Sequence, residues 1–153
     1  LMKKNNFIFS VIIFLLHLIP LLFAPIDISW YEKLSKPLFM PPLIIIFIIW
    51  CIVFMIISFL STNIISLRNH ESKRFFIILI ILNYFFIQFY PYIMFSLKDI
   101  FLGFVNLLLM LLTVFMLYIV SSKINQKLSI YMIIVMLWVL FNAFLQCGLL
   151  KYN

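Results

Sequence analysis

Five predominantly apolar stretches, each of about 18 residues or more, occupy nearly all of this 153-residue chain. A helix rises 1.5 Å per residue, so about 20 such residues cross a hydrocarbon core of ~30 Å. The predicted spans run from about Phe7 to Ala24, Leu43 to Thr62, Phe75 to Phe95, Ile100 to Val120 and Leu128 to Leu150. Little chain is left to connect them. The expectation is therefore an all-α membrane protein, a single domain over residues 1–153 folded as a bundle of five transmembrane helices. Only 10% of residues are charged, far below the roughly 25% of a soluble domain.

The start of the chain also resembles a secretory signal, with Lys3 and Lys4 ahead of an apolar run. Ala24 is followed by Pro25 and no A-x-A pattern precedes it, so the segment is read as a retained first span. Pro20 near its end is tolerable in a membrane bundle, where a freed carbonyl finds a local partner. Pro41 and Pro42 stand where the second span begins, a position at which a missing N–H costs nothing. The turn from Ser96 to Asp99 makes the third and fourth spans antiparallel neighbours, with Asp99 suited to cap the fourth.

The net charge of +7 does not imply a nucleic-acid partner, because the cations are scattered between apolar runs and form no basic face. They read as topological signals. Lys3, Lys4, Arg68, Lys73, Arg74, Lys123 and Lys127 fall on one side, and Lys33, Lys36, Lys98 and Lys151 on the other. The excess places the N-terminus inside, and the first loop and C-terminus outside.

All four acidic residues, Asp27, Glu32, Glu71 and Asp99, lie in predicted loops, so no carboxylate sits at mid-bilayer to carry a proton or hold a cation. The chain lacks H-E-x-x-H, G-x-S-x-G and phosphate-loop motifs, and no catalytic or metal-ligating residue is nominated. Cys51 and Cys147 lie in apolar runs without a second ligand at metal spacing and read as small buried hydrophobes. His17 reads as a helix-packing hydrogen bonder, with ligand contact or axial ligation the alternative; His70 reads as a solvated loop residue.

Neutral polar and aromatic residues recur at helical spacing. The second span aligns Phe47, Trp50, Phe54 and Ser58. The third carries Asn83 with Tyr90 on one side and Tyr84, Gln88 and Tyr92 on another. The fourth aligns Gly103, Asn106, Met110 and Thr113, and the fifth Tyr131, Trp138, Asn142 and Gln146. An unpaired amide in hydrocarbon costs several kcal/mol, so these amides face one another, a neighbouring helix or a ligand. Taken singly each is interhelical glue; together with Trp50 and Trp138 they could line an apolar cavity suited to a flat, greasy ligand with polar edges.

The first long loop carries the most specific motif: Trp30-Tyr31-Glu32-Lys33-Leu34-Ser35-Lys36-Pro37, then Pro41-Pro42, then Phe47 and Trp50. With Pro25-Ile26-Asp27 before it, Leu82-Asn83-Tyr84 and Gln88, Trp138 and the closing Asn153, it resembles the TspO/translocator-protein family (peripheral-type benzodiazepine receptors) over essentially the whole chain. The resemblance implies a bundle whose long first loop folds as a lid over a pocket. It also implies a bacterial cell-membrane protein that forms homodimers and needs no cofactor. Its ligand would be protoporphyrin IX or a related tetrapyrrole, with benzodiazepine-site drugs also accepted. Carried over by position, the pocket would use Trp30, Tyr31, Pro41, Trp50, Phe54, Asn83, Gln88, Asn106, Trp138 and Asn142.

The chain departs from the family pattern in the fifth span. Ile134 and Val135 replace a Pro-Tyr pair, Asn142 a small residue and Gln146 an Asn; in the third span Phe86 stands where many members have Trp. The implied activity is that of a receptor or carrier. A second is light- and oxygen-dependent breakdown of the bound porphyrin, which needs oxidisable indoles rather than an acid/base pair; a third is a scaffold with no small ligand. Trp30 and Tyr31 also suit an interfacial anchor, and Lys36 is either solvated or paired with Asp27 or Glu32.

Overall fold

The computed structural model describes residues 4–23, 26–67 and 71–153. Lys3, Ala24, Pro25, Arg68 and His70, on which parts of the topology reading rest, lie outside them. Helix α1 runs Lys4–Phe23, α2 Ile28–Lys33, α3 Leu43–Ser66, α4 Glu71–Pro91, α5 Ile100–Ile124 and α6 Gln126–Tyr152, with a π-helical turn over Tyr92–Ser96 between α4 and α5. There is no strand among the described residues. Four helical segments are long and apolar enough to cross a membrane: Leu43–Ser66, Glu71–Ser96, Ile100–Ile124 and Gln126–Tyr152; α1 supplies a shorter apolar segment, Asn5–Ile19.

The helices run further than the apolar stretches, and local polar chemistry explains where they stop. Asn63 bonds back to the Phe59 carbonyl at 2.7 Å, carrying α3 past Thr62. Glu71 opens α4 and complements the positive end of its dipole. The expected loop from Ser121 to Lys127 shrinks to Asn125. Ser121 and Ser122 bond back to carbonyls three residues earlier, and the Asn125 carboxamide accepts from the amides of Lys127 and Leu128 to start α6. Asp99 caps α5 as expected, accepting from the Leu102 amide at 2.8 Å. The first loop is not wholly irregular: Asp27 accepts from the Trp30 amide at 2.9 Å and starts α2 within it.

Around the bundle α1 packs on α3, α3 on α6, α6 on α5, α5 on α4, and α4 back on α1. Side-chain polarity is inverted relative to a soluble protein. Phe7, Leu15, Ile48, Phe89, Leu112, Leu137 and Phe144 point outward, while Ser58, Ser61, Asn83, Asn106, Thr113, Ser129, Asn142 and Gln146 are buried. The outward apolar side chains suit a hydrocarbon surrounding, and the buried polar ones find partners inside except Ser61, whose hydroxyl has none among the described residues. The interior between them is filled by Val53, Ile57, Leu60, Leu107, Met110, Leu117 and Met132. The two cysteines depart from their reading: both are free thiols, but Cys51 is only half-buried and Cys147 faces outward, because each sits off the packed face of its helix.

Pro91 ends the regular part of α4. It has no N–H to continue the ladder, and the following turn widens, closing with the Leu97 amide on the Tyr92 carbonyl at 3.1 Å. The turn then stops as helices commonly do, with Lys98 at φ 56° and the Asp99 amide on the Ile93 carbonyl at 3.3 Å.

Candidate functional site

The loop between α1 and α3 is tied down at several points. Its Asp27 meets the Lys98 ammonium at 2.8 Å across the π turn. That ammonium, with the Ser29 hydroxyl and the Trp30 amide, holds the Asp27 carboxyl below the usual carboxylate range. Lys36 is therefore not the partner of Asp27. It donates to the Glu32 backbone carbonyl at 3.2 Å, and its ammonium lies 4.6 Å over the Tyr31 ring. Further along, Ser35 exchanges two backbone hydrogen bonds with the Asn153 carboxamide, each 2.9 Å. Phe39 stacks on Phe144 with centroids 5.0 Å apart, and Pro37 rests against Gly148, where an added Cβ would stand 3.0 Å from its Cγ.

Beneath this loop the helices border a partly open cavity of about 480 Å³. That is within the roughly 300–1,000 Å³ of small-molecule sites. The loop contributes Ile26, Ile28, Tyr31 and Met40, and α3 contributes Phe47, Trp50 and Phe54 among others. The Pro91 region brings Tyr90, Met94 and Phe95, and α6 brings Asn142, Gln146 and Leu149. His17 of α1 and Met110 of α5 complete the wall, and no charged side chain among the described residues lines it. Tyr31 is buried against Phe95, with centroids 5.9 Å apart, and burial raises its phenol above the ordinary range.

Of the ten residues nominated from sequence, Tyr31, Trp50, Phe54 and Asn142 line this cavity. Trp138 stands one layer behind, edge-on to Trp50 with centroids 6.3 Å apart. Trp30 packs at the loop end with Tyr31, Met94 and Leu149 but does not line the cavity, and neither does Pro41, although its neighbours Met40 and Leu43 do. Asn83 and Asn106 are turned into the α4–α5 seam. The Asn83 amide donates to Thr113 Oγ1 at 2.7 Å, and that of Asn106 to the Phe86 carbonyl at 2.9 Å. Gln88 is half-buried off the cavity, its amide nitrogen without a partner among the described residues.

Gln146, which the sequence aligns with Asn142 but which is not among the ten carried-over pocket residues, also lines the cavity. Its Nε2 donates to the Ile100 carbonyl at 2.9 Å and approaches Met94 Sδ at 3.2 Å, while its Oε1 accepts from the Tyr90 hydroxyl at 3.0 Å. Gly103 makes the room: a Cβ there would lie 2.9 Å from Gln146 Nε2. Asn142 uses its amide nitrogen on the Trp138 carbonyl one turn back, at 2.8 Å.

Helices apolar outward and polar inward, grouped round an aromatic cavity, define a polytopic helical membrane protein with a pocket among its helices. A model of the TspO/MBR family matches residues 7–151. The chain is 33% identical to the Tryptophan-rich protein TspO of Bacillus cereus, with 99% of each chain covered. It is 28% identical to the uncharacterized membrane protein YtaB of Bacillus subtilis, with 84% of this chain and 83% of that one covered. The chain belongs to the TspO/MBR family.

Proposed function

We propose that the protein is a membrane receptor or carrier for a flat, hydrophobic ligand of the tetrapyrrole class, for which protoporphyrin IX is the probe, and that benzodiazepine-site drugs enter the same pocket. The observation that carries this reading is the cavity itself, about 480 Å³, walled by Tyr31, Phe47, Trp50, Phe54, Tyr90 and Phe95 with the Asn142 carboxamide among them. Aromatic faces stack on a planar ring system, and a few fixed polar groups set its orientation.

In this reading α1 is a fifth span and the loop over residues 26–42 is a lid held by Asp27, Ser35 and Pro37. The N-terminus is inside, the lid and C-terminus are outside, and the protein works as a homodimer in a bacterial cell membrane. Entry of a ligand follows release of the lid, since Tyr31 and Met40 form the cavity wall on that side. Titration of protoporphyrin IX into the purified protein, followed by tryptophan fluorescence, is the test. Saturable quenching that weakens in Trp50→Phe is expected; quenching that never saturates overturns the reading.

A further inference from the structure

The cavity wall holds a strong Lewis base that no described residue uses. His17 lines the cavity and is 3% exposed. Its Nδ1 lies 2.8 Å from the Ile13 carbonyl oxygen one turn earlier on α1. A carbonyl only accepts, so Nδ1 carries the proton and Nε2 keeps its lone pair. That Nε2 is buried and has no hydrogen-bond partner among the described residues. The neighbouring Tyr84 does not supply one. Its ring meets the imidazole edge-on with centroids 5.2 Å apart, while its hydroxyl donates to the Leu16 carbonyl at 3.1 Å. On the other flank the Phe54 ring, itself part of the cavity wall, packs 5.2 Å from the imidazole centroid.

We propose that His17 Nε2 is an axial ligand to the metal of a metal-bearing planar macrocycle bound in this cavity. The inference rests on the tetrapyrrole reading and names the side chain that the metal of a metallated ring would engage. A bare ion does not fit: no group of three His, Cys, Asp or Glu side chains that could hold one occurs among the described residues. A single imidazole in an apolar wall holds a metal only when the remaining donors arrive with it, as they do in a macrocycle with an open axial position. The Nδ1–H to backbone carbonyl bond is the arrangement that fixes tautomer and ring orientation in metal-ligating histidines. Because Nε2 is itself buried, ligation requires the wall around it to open.

The experiment titrates full-length protein in detergent with ferric protoporphyrin IX and, separately, with the free-base ring. It compares wild type with His17→Leu and His17→Phe. For wild type, the absorption and electron paramagnetic resonance spectra of the ferric complex should carry the signature of nitrogen ligation. In either variant that signature should vanish, ferric affinity should fall by on the order of tenfold, and added imidazole should restore the spectrum. Free-base affinity should stay within a small factor of wild type, which also shows that the variants fold.

Identical ferric spectra in wild type and in a folded variant overturn the inference and leave the tetrapyrrole reading standing. So does equal weakening of the ferric and free-base rings, which would assign His17 to packing. Should both variants fail to fold, a wild-type ferric spectrum without nitrogen ligation overturns it alone. Failure of folded wild type to bind either ring overturns both readings.

Discussion

The carboxamide of Asn153 and the backbone of Ser35 exchange two hydrogen bonds of 2.9 Å each, so Asn153, just past the end of α6, holds the middle of the loop between α1 and α3. Asn153 also anchors itself, donating to the Leu149 carbonyl at 2.9 Å. Replacing it with Ala removes both loop bonds, each worth about 1 kcal/mol net. Hydrogen exchange at the Ser35 amide should then speed up several-fold while exchange in the core of α5 is unchanged. Asn153→Asp keeps the acceptor and loses the donor, and should fall between the two.

The Asp27–Lys98 pair predicts a particular pH response. The Asp27 carboxyl titrates below its ordinary value of 3.8, chiefly because Lys98 favours the charged form. A group with a depressed value stabilises the anchored loop fully above the ordinary value, and that contribution fades only as pH falls through the depressed one. Loop exchange in the wild type should therefore be insensitive to this group between pH 7 and pH 5 and rise only in stronger acid. Asp27→Asn should show faster loop exchange already at pH 7, and Lys98→Met should reproduce it.

Gly103 and Gln146 are coupled by space. In Gly103→Ala the new Cβ meets Gln146 Nε2, and the amide has to leave the Ile100 carbonyl to make way. Thermal unfolding in detergent should report a loss of about 1–3 kcal/mol, the usual cost of overpacking. Adding Gln146→Ala to that variant should cost less than Gln146→Ala costs in the wild type, the non-additivity expected of two groups in contact.

Two buried asparagines should separate cleanly. Asn83 joins α4 to α5 through Thr113, so Asn83→Leu should lower stability by about 0.6–2 kcal/mol and leave protoporphyrin IX affinity unchanged. Asn142 bonds only within its own helix and lines the cavity, so Asn142→Leu should barely move the unfolding temperature and should weaken binding. Measuring both quantities on both variants checks the assignment.

The architecture was legible in proportion to how local its causes are. Apolar length marks the spans from Leu43 onward, and the caps at Asp99 and Pro42 follow from single side chains. Helix ends were harder, because Asn63, Ser121 and Ser122 look like loop formers yet bond back to their own helices. The cavity was the least legible part. Asn83, Asn106, Asn142 and Gln146 are chemically alike, and only the ring order of the helices decides which face a seam and which a hollow. Likewise, no local pattern could pair Asp27 with Lys98, far along the chain, rather than with nearby Lys36.

The widened turn after Pro91 has a further effect on how the protein can vary. A turn of that kind takes in one residue more than its α-helical equivalent, so everything beyond it is rotated by about 100°. Phe95, Lys98 and Asp99 owe their bearings to that extra residue. A one-residue deletion between Tyr92 and Ser96 would let the backbone relax to a regular helix. It would swing Lys98 away from Asp27 and take Phe95 out from under Tyr31, undoing two of the loop's attachments with every residue of the loop left intact.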